Sequence, residues 1–292
     1  MRASWLTATL VMMASAMNLA GNALQPSLSE VVARLDEYLA AYELRLSELI
    51  ADESMSQVIR RGSRSTGLDG VDFGTDRARQ LQSEVAFIGL PGNAGWLGFR
   101  HVKTVDNRPV RDSGASLTSA LSTQGYAAAR RLLMESAQHN LGLARTTNLP
   151  NLPLEFLHPR NRQRLVSRLD GTDRVRTIET TKIVFAERTK PTLIGNPNGN
   201  DMPSVITAWV DPKSGALLRA EVRMFESAET RQPSNVVRVE FARDPKLDLL
   251  VPAEMNESFT MPPPASGIGV ATYKNFRRFQ TSARIVPPPG AP

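Results

Sequence analysis

Three histidines, His101, His139 and His158, are the only imidazoles in 292 residues, and there is no cysteine. A structural or catalytic zinc needs His, Cys or carboxylate ligands at short spacing, and neither His-x3-His nor His-Glu-x-x-His occurs. His158 precedes Pro159 and suits a turn. Calcium loops of the EF type are absent. No Gly-x-Ser-x-Gly elbow is present, so a Ser/His/Asp triad would have to assemble from residues distant in the chain. Asp52 and Glu53 in "DESMSQ" are adjacent carboxylates that could divide acid and base roles. They are expected just past a helix end, solvated. "GLPGNAGWLGF", residues 89–99, has the glycines of a phosphate cradle but not the Gly-Lys-Ser/Thr that opens a helix. It reads as a hairpin loop. No catalytic residue, cofactor or metal is expected.

Basic residues recur in "HPRNRQRLVSR" and "YKNFRRF". In the second, Lys274, Arg277 and Arg278 interleave with Tyr273, Phe276 and Phe279, which would let a strand bury aromatics and present cations to an anionic headgroup at a sheet rim. The competing expectation is an edge strand whose charges discourage aggregation. The whole chain carries +6, with six lysines and 29 arginines, and a pI near 10.0. Arginine matches planar anions by paired donors. Without wider interleaving of basic and aromatic residues, nucleic acid is a poor partner, and an acidic lipid or protein is a better one.

These groups need elements to hold them. Residues 1–23 have the charge, apolar run and small residues of a secretory signal peptide, with cleavage after Ala16 or Ala23. The apolar run is shorter than the ~20 residues of a spanning helix. The expected location is periplasmic or secreted, with no transmembrane segment in the mature chain. Ser27 and Glu30 form a capping box for an amphipathic helix over residues 28 to 50. A Gly/Ser/Asp-rich loop at 62–74, the hairpin around residue 90, and a helical insertion at about 113–160 follow. From Val175 onward the chain reads as antiparallel strands, closing on a Pro-rich tail at 287–292.

"AWVDPKSGALLRAEVRMF", residues 208–225, contains the clearest hairpin: Pro212 and Gly215 fit a four-residue turn closed by Asp211 and Ala216. An unbroken register would pair Trp209 with Leu218, Thr207 with Ala220 and Val205 with Val222. Those residues and Met224 would then share a dry face with Val237, Val239, Phe241, Met255 and Phe259. Such a surface must be covered. Helices that fill it make an ordinary core, and helices that cover it loosely leave a cavity for an apolar ligand.

The strand series "AWVDPKSGALLRAEVRMF", "VPAEMNESF" and "GVATYKNFRRF" resembles that of the Lol-type periplasmic lipoprotein carriers, and of other exported bacterial proteins sharing the pattern. The resemblance implies an α+β fold: a curved antiparallel sheet, an incomplete barrel, with helices on a concave face that in the carriers receives acyl chains. It covers about residues 170 to 285, while residues 52 to 170 follow no carrier pattern and no binding residue is carried over. The expectation is one domain over residues 24–286 that accepts an acyl chain or a lipidated or apolar segment, its partner being a lipid or lipoprotein. Val205, Trp209, Leu218, Val222, Met224, Val239 and Phe241 would line the ligand, and Lys274, Arg277 and Arg278 would contact an anion. The alternative is a structural or protein-interaction module of the envelope with a filled core.

Overall fold

In the computed structural model the described residues are 26–47, 49–61, 63–66, 70–73, 76–89, 96–111, 133–196, 198–261 and 265–278. The expected signal peptide, the Pro-rich tail, Phe279 and residues 113–132 of the helical insertion lie outside them. Chain order is α1 (Leu28–Leu46), β1 (Leu49–Arg61), β2 (Ser63–Thr66), β3 (Gly70–Phe73), β4 (Arg77–Gly89), β5 (Trp96–Val105) and β6 (Arg108–Pro109). Helix α2, described over 133–138, comes next. Then come α3 (Leu152–Leu157), a 3-10 turn (Pro159–Arg164), β7 (Leu165–Val175), β8 (Ile178–Glu187), β9 (Ser204–Val210), β10 (Leu217–Met224), β11 (Asn235–Asp244), β12 (Leu249–Thr260) and β13 (Ala265–Arg278).

Among the described residues eleven strands form one sheet in the order β6-β5-β4-β1-β13-β12-β11-β10-β9-β8-β7. Every pairing is antiparallel. Strands β7 to β13 are a plain meander, and β1 joins the sheet by pairing with β13. Among the described residues β6 and β7 are the edges, so the barrel is incomplete, as the resemblance implies. The flanks of "GLPGNAGWLGF" pair as β4 and β5, while its tip lies outside the described residues.

Several expectations meet the structure here. The first helix stops at Leu46, and Leu49 to Arg61 form a strand instead, because Ala51, Glu53, Met55, Gln57 and Ile59 alternate to one buried face. Asp52 and Glu53 therefore sit mid-sheet and not at a solvated helix end. The loop at 62–74 contains a two-stranded sheet, β2 with β3. Strand β13 lies between β12 and β1, but its pairing with β12 ends at Thr272, so the described part of "YKNFRRF" is paired on its β1 side alone.

Helix α1 starts on the capping box, with both Ser27–Glu30 hydrogen bonds present. It buries Val31, Leu35, Leu39, Tyr42 and Leu46. Arginines on its other side reach hairpin tips: Arg34 donates to the Pro212 carbonyl and Arg45 to that of Asp248 at 2.8 Å. The tip of the β9–β10 hairpin closes as expected, Asp211 N–H to the Ala216 carbonyl at 2.9 Å, with Gly215 at φ 73°. Gly215 is also pressed against α1, where a Cβ would lie 2.2 Å from the Arg34 carbonyl oxygen.

The register beyond the tip differs from the unbroken one. Val210 faces Leu217, and then a bulge at Leu218 shifts the pairing by one, so Trp209 faces Arg219, Ala208 faces Ala220 and Ile206 faces Val222. The bulge turns Ile206, Ala208 and Val210 inward and sends Val205, Thr207 and Trp209 outward. That keeps the wholly apolar set dry while β10 still turns Arg219, Glu221 and Arg223 away from the core.

Candidate functional site

Following the register across the sheet divides its helix-covered inner face into two halves of different chemistry. On β8 to β11 the inward residues are Ile183 and Phe185, then Ile206, Ala208 and Val210, then Ala220, Val222 and Met224, then Val237, Val239 and Phe241; each is at most 3% exposed. Helix α3 lies on β9, β10 and β11 and contributes Leu154, Phe156 and Leu157 to the same core, which also takes in the buried stripe of α1. A side chain lining a space that admits water would show exposed area, so this apolar half is closed by its cover.

On β12, β13, β1, β4 and β5 the inward positions mix core residues such as Met55, Leu81, Val85 and Met255 with buried polar groups. Glu53, Gln57, Arg100, Glu257 and Tyr273 are all at most 5% exposed. Arg100 and Glu53, with no exposed side-chain area, form a paired bridge, Nε to Oε2 at 2.5 Å and Nη2 to Oε1 at 2.8 Å. Burial works against the charge of Arg100, yet Glu53 offsets this and the guanidinium is held more firmly protonated than usual. Burial, and then the charge of Glu53, push the Tyr273 phenol well above its ordinary range.

The cover over this half is the segment 139–151, which joins no strand of the sheet. Arg100 Nη2 donates to the Asn148 carbonyl at 2.7 Å and Arg79 Nη1 to that of His139 at 2.9 Å. Gln57 accepts the Leu141 N–H at 2.7 Å and donates to Asn140 Oδ1 at 2.8 Å. In return the segment's Arg145 reaches Glu257 on β12, Nε to Oε1 at 2.8 Å, its guanidinium 3.5 Å from the centre of the Phe259 ring. Asn235 on β11 donates to Thr147 Oγ1 at 3.1 Å.

Of the residues singled out from the sequence, Val222, Met224, Val239 and Phe241 lie together on the apolar half. Val205, Trp209 and Leu218 do not, because the bulge places them on the outer face. There Trp209 and Leu218 meet Val175. The Trp209 Nε1–H donates to Asp173 at 2.8 Å and its ring lies 5.4 Å from the Arg219 guanidinium. Lys274 and Arg278 are exposed, and the Arg277 guanidinium is engaged by Asp52 and Glu84. His158 is buried against Glu43 of α1, Nε2 to Oε2 at 2.8 Å, and accepts the Arg160 N–H on Nδ1. The polar half was not anticipated. Its signal was the alternation of Glu53 and Gln57 with Met55 and Ile59, and of Glu257 with Met255 and Phe259.

No three His, Cys, Asp or Glu side chains among the described residues are grouped to hold a metal ion, and no described helix is long and apolar enough to cross a membrane. No family model and no curated protein matches the chain. Among solved structures it is similar to a DUF1329 family protein from Desulfovibrio piger, at 12% identity over 85% of this chain and 93% of that one, with a TM-score of 0.39. It is also similar to a LolA superfamily protein from Nitrosomonas europaea (10% identity, 87% and 94% covered, TM-score 0.35). A third is the Mycobacterium tuberculosis lipoprotein LppX (12% identity, 86% and 96% covered, TM-score 0.29). At these identities and TM-scores the likeness carries no argument about activity, and the chain is placed by its own topology as an open antiparallel sheet of the incomplete-barrel kind.

Proposed function

We propose that the chain is an exported binding protein, not an enzyme, that accepts an acyl chain or a lipidated apolar segment on the β8–β11 half of its inner face. One observation carries the reading: an apolar sheet face is closed by separate segments, and the neighbouring cover, 139–151, is fixed to the sheet by buried polar side chains beside the apolar contacts of Leu141 and Leu149. Buried ion pairs add little stability over well-packed apolar groups, so they are a poor choice for a permanent seal. The seam is also incompletely satisfied. Ser83 Oγ, Asn151 Oδ1 and Asn235 Oδ1 are buried there without a hydrogen-bond partner, each a cost of about 1–3 kcal/mol. A seam of this kind opens more readily than one packed with leucine. Entry of an acyl chain would then replace the apolar contacts that α3 gives up, at roughly 0.8 kcal/mol per methylene.

Native mass spectrometry of gently purified protein, with uptake of a fluorescent fatty acid, tests this. A co-purifying lipid or saturable uptake is expected; neither appearing would end the reading. The closure of the β8–β11 half favours a second reading, a filled-core interaction module of the envelope. One stoichiometric protein partner that survives delipidation, together with no fatty-acid uptake, would select it.

A further inference from the structure

The sheet holds residues 139–148 in an unusual way. Arg79, Gln57 and Arg100 bond to main-chain atoms of the segment: the carbonyls of His139 and Asn140, the N–H of Leu141 and the carbonyl of Asn148. Main-chain groups are the same in every polypeptide, so these bonds could hold another chain; Gln57 also donates to Asn140 Oδ1 at 2.8 Å and Arg100 to Asn148 Oδ1 at 3.3 Å, contacts that favour an amide side chain. Arginine-to-carbonyl bonds are charge-assisted and among the stronger ones available. Glu257 adds a selective contact, an anion beside the Phe259 ring that takes a guanidinium. The segment itself contributes no ladder hydrogen bonds to the sheet. It lies there as a ligand would.

We propose that the polar half of the inner face is a binding site for a polypeptide segment carrying an arginine, supplied by another protein, and that residues 139–148 are its resident stand-in. The inference rests on the reading that the cover can leave the sheet. It names the ligand more closely: a polypeptide whose main chain is held by Arg79, Gln57 and Arg100 and whose cation meets Glu257, with its apolar or acylated part directed to the β8–β11 half.

Gly142 offers a way to empty the site without altering the sheet. It sits at φ 83°, and a Cβ there would lie 2.6 Å from Ile59 Cδ1 and 2.9 Å from Met261 Sδ. Gly142→Val should therefore drive the segment off, which hydrogen exchange over 139–148 would report; Arg145→Gln is a second route. The probe is a fluorescein-labelled synthetic peptide, HNLGLARTTNLP, the sequence of residues 139–150, followed by anisotropy. The released variant should bind at least roughly tenfold more tightly than the wild-type chain, whose site is mostly occupied. Adding Gln57→Leu should remove roughly tenfold or more of that affinity. A folded variant with a released segment that does not bind the peptide overturns the proposal. So does retention of the segment in both variants, or failure of both to fold, since the segment would then be an indispensable part of the core. A fluorescent fatty acid is titrated in parallel. Its uptake without peptide binding overturns this inference alone, and peptide binding without its uptake overturns the acyl reading alone.

Discussion

Arg100 keeps a full charge where no solvent reaches it, and Glu53 is what makes that possible. Removing one member of a buried pair strands the other, so Arg100→Met should cost about 3–5 kcal/mol in urea unfolding. Replacing both, with Arg100→Met and Glu53→Leu, should recover most of that loss. A double variant no more stable than the single would mean that the bonds to Asn148, and not the ion pair, carry the cost. His139 supplies a pH-dependent counterpart at the same seam. Burial, and then the charge of Arg79, hold its imidazole below the ordinary 6.5, while Glu135 acts in the opposite direction. As pH falls, the unfolded chain takes the proton first. The stability tied to neutral His139 is therefore intact above 6.5, declines below it, and is lost once pH passes the lower folded value. Thermal melts of the wild type and His139→Gln between pH 7 and 5 should converge toward acid, and parallel curves would contradict this. Glu53 was legible as a carboxylate but not as a buried one, because its partner is 47 positions away. Nothing local to either residue announces the other.

At the scale of elements, the hairpin that dominates the sequence reads correctly at its tip and one residue out of register along its length. Asp211, Pro212 and Gly215 specify the turn locally, which is why it was recoverable. The bulge at Leu218 was not, since it is demanded by which set of β9 side chains the core accepts. The signal lay in comparing Ile206, Ala208 and Val210 with Val205, Thr207 and Trp209, of which only the first set is wholly apolar. Helix α1 shows the converse: its capping box fixes the start from four residues, while its end was overrun because Leu49 and Ile50 continue the apolar stripe by chance. The hairpin tip also seats that helix. Gly215→Ala should destabilise by at least about 1–2 kcal/mol, from the left-handed backbone alone, and more from collision with the Arg34 carbonyl. Chemical denaturation checks this, and a change within a few tenths of a kcal/mol would show that the tip does not bear on α1.

For the whole molecule, the meander from β7 to β13 was readable because each strand alternates and each turn is punctuated. The closure of β1, β4 and β5 onto β13 was not, since it depends on pairings between chain segments some 200 positions apart, such as Asp52 with Lys274. That long-range pairing also extends the inner face, which is apolar over β8 to β11 and takes in buried polar groups over β12, β13 and the N-terminal strands. The outer face carries Trp209, Leu218 and the paired charges of Arg219, Glu240, Glu221 and Arg238. Under the proposed function a ligand is taken up on the inner face, beneath a cover that must move. Hydrogen exchange with and without a saturating 16-carbon fatty acid tests that directly. The predicted result is faster exchange over 139–157 with β9, β10 and β11 unchanged or slower; no complex and no change in the cover at saturation would contradict it.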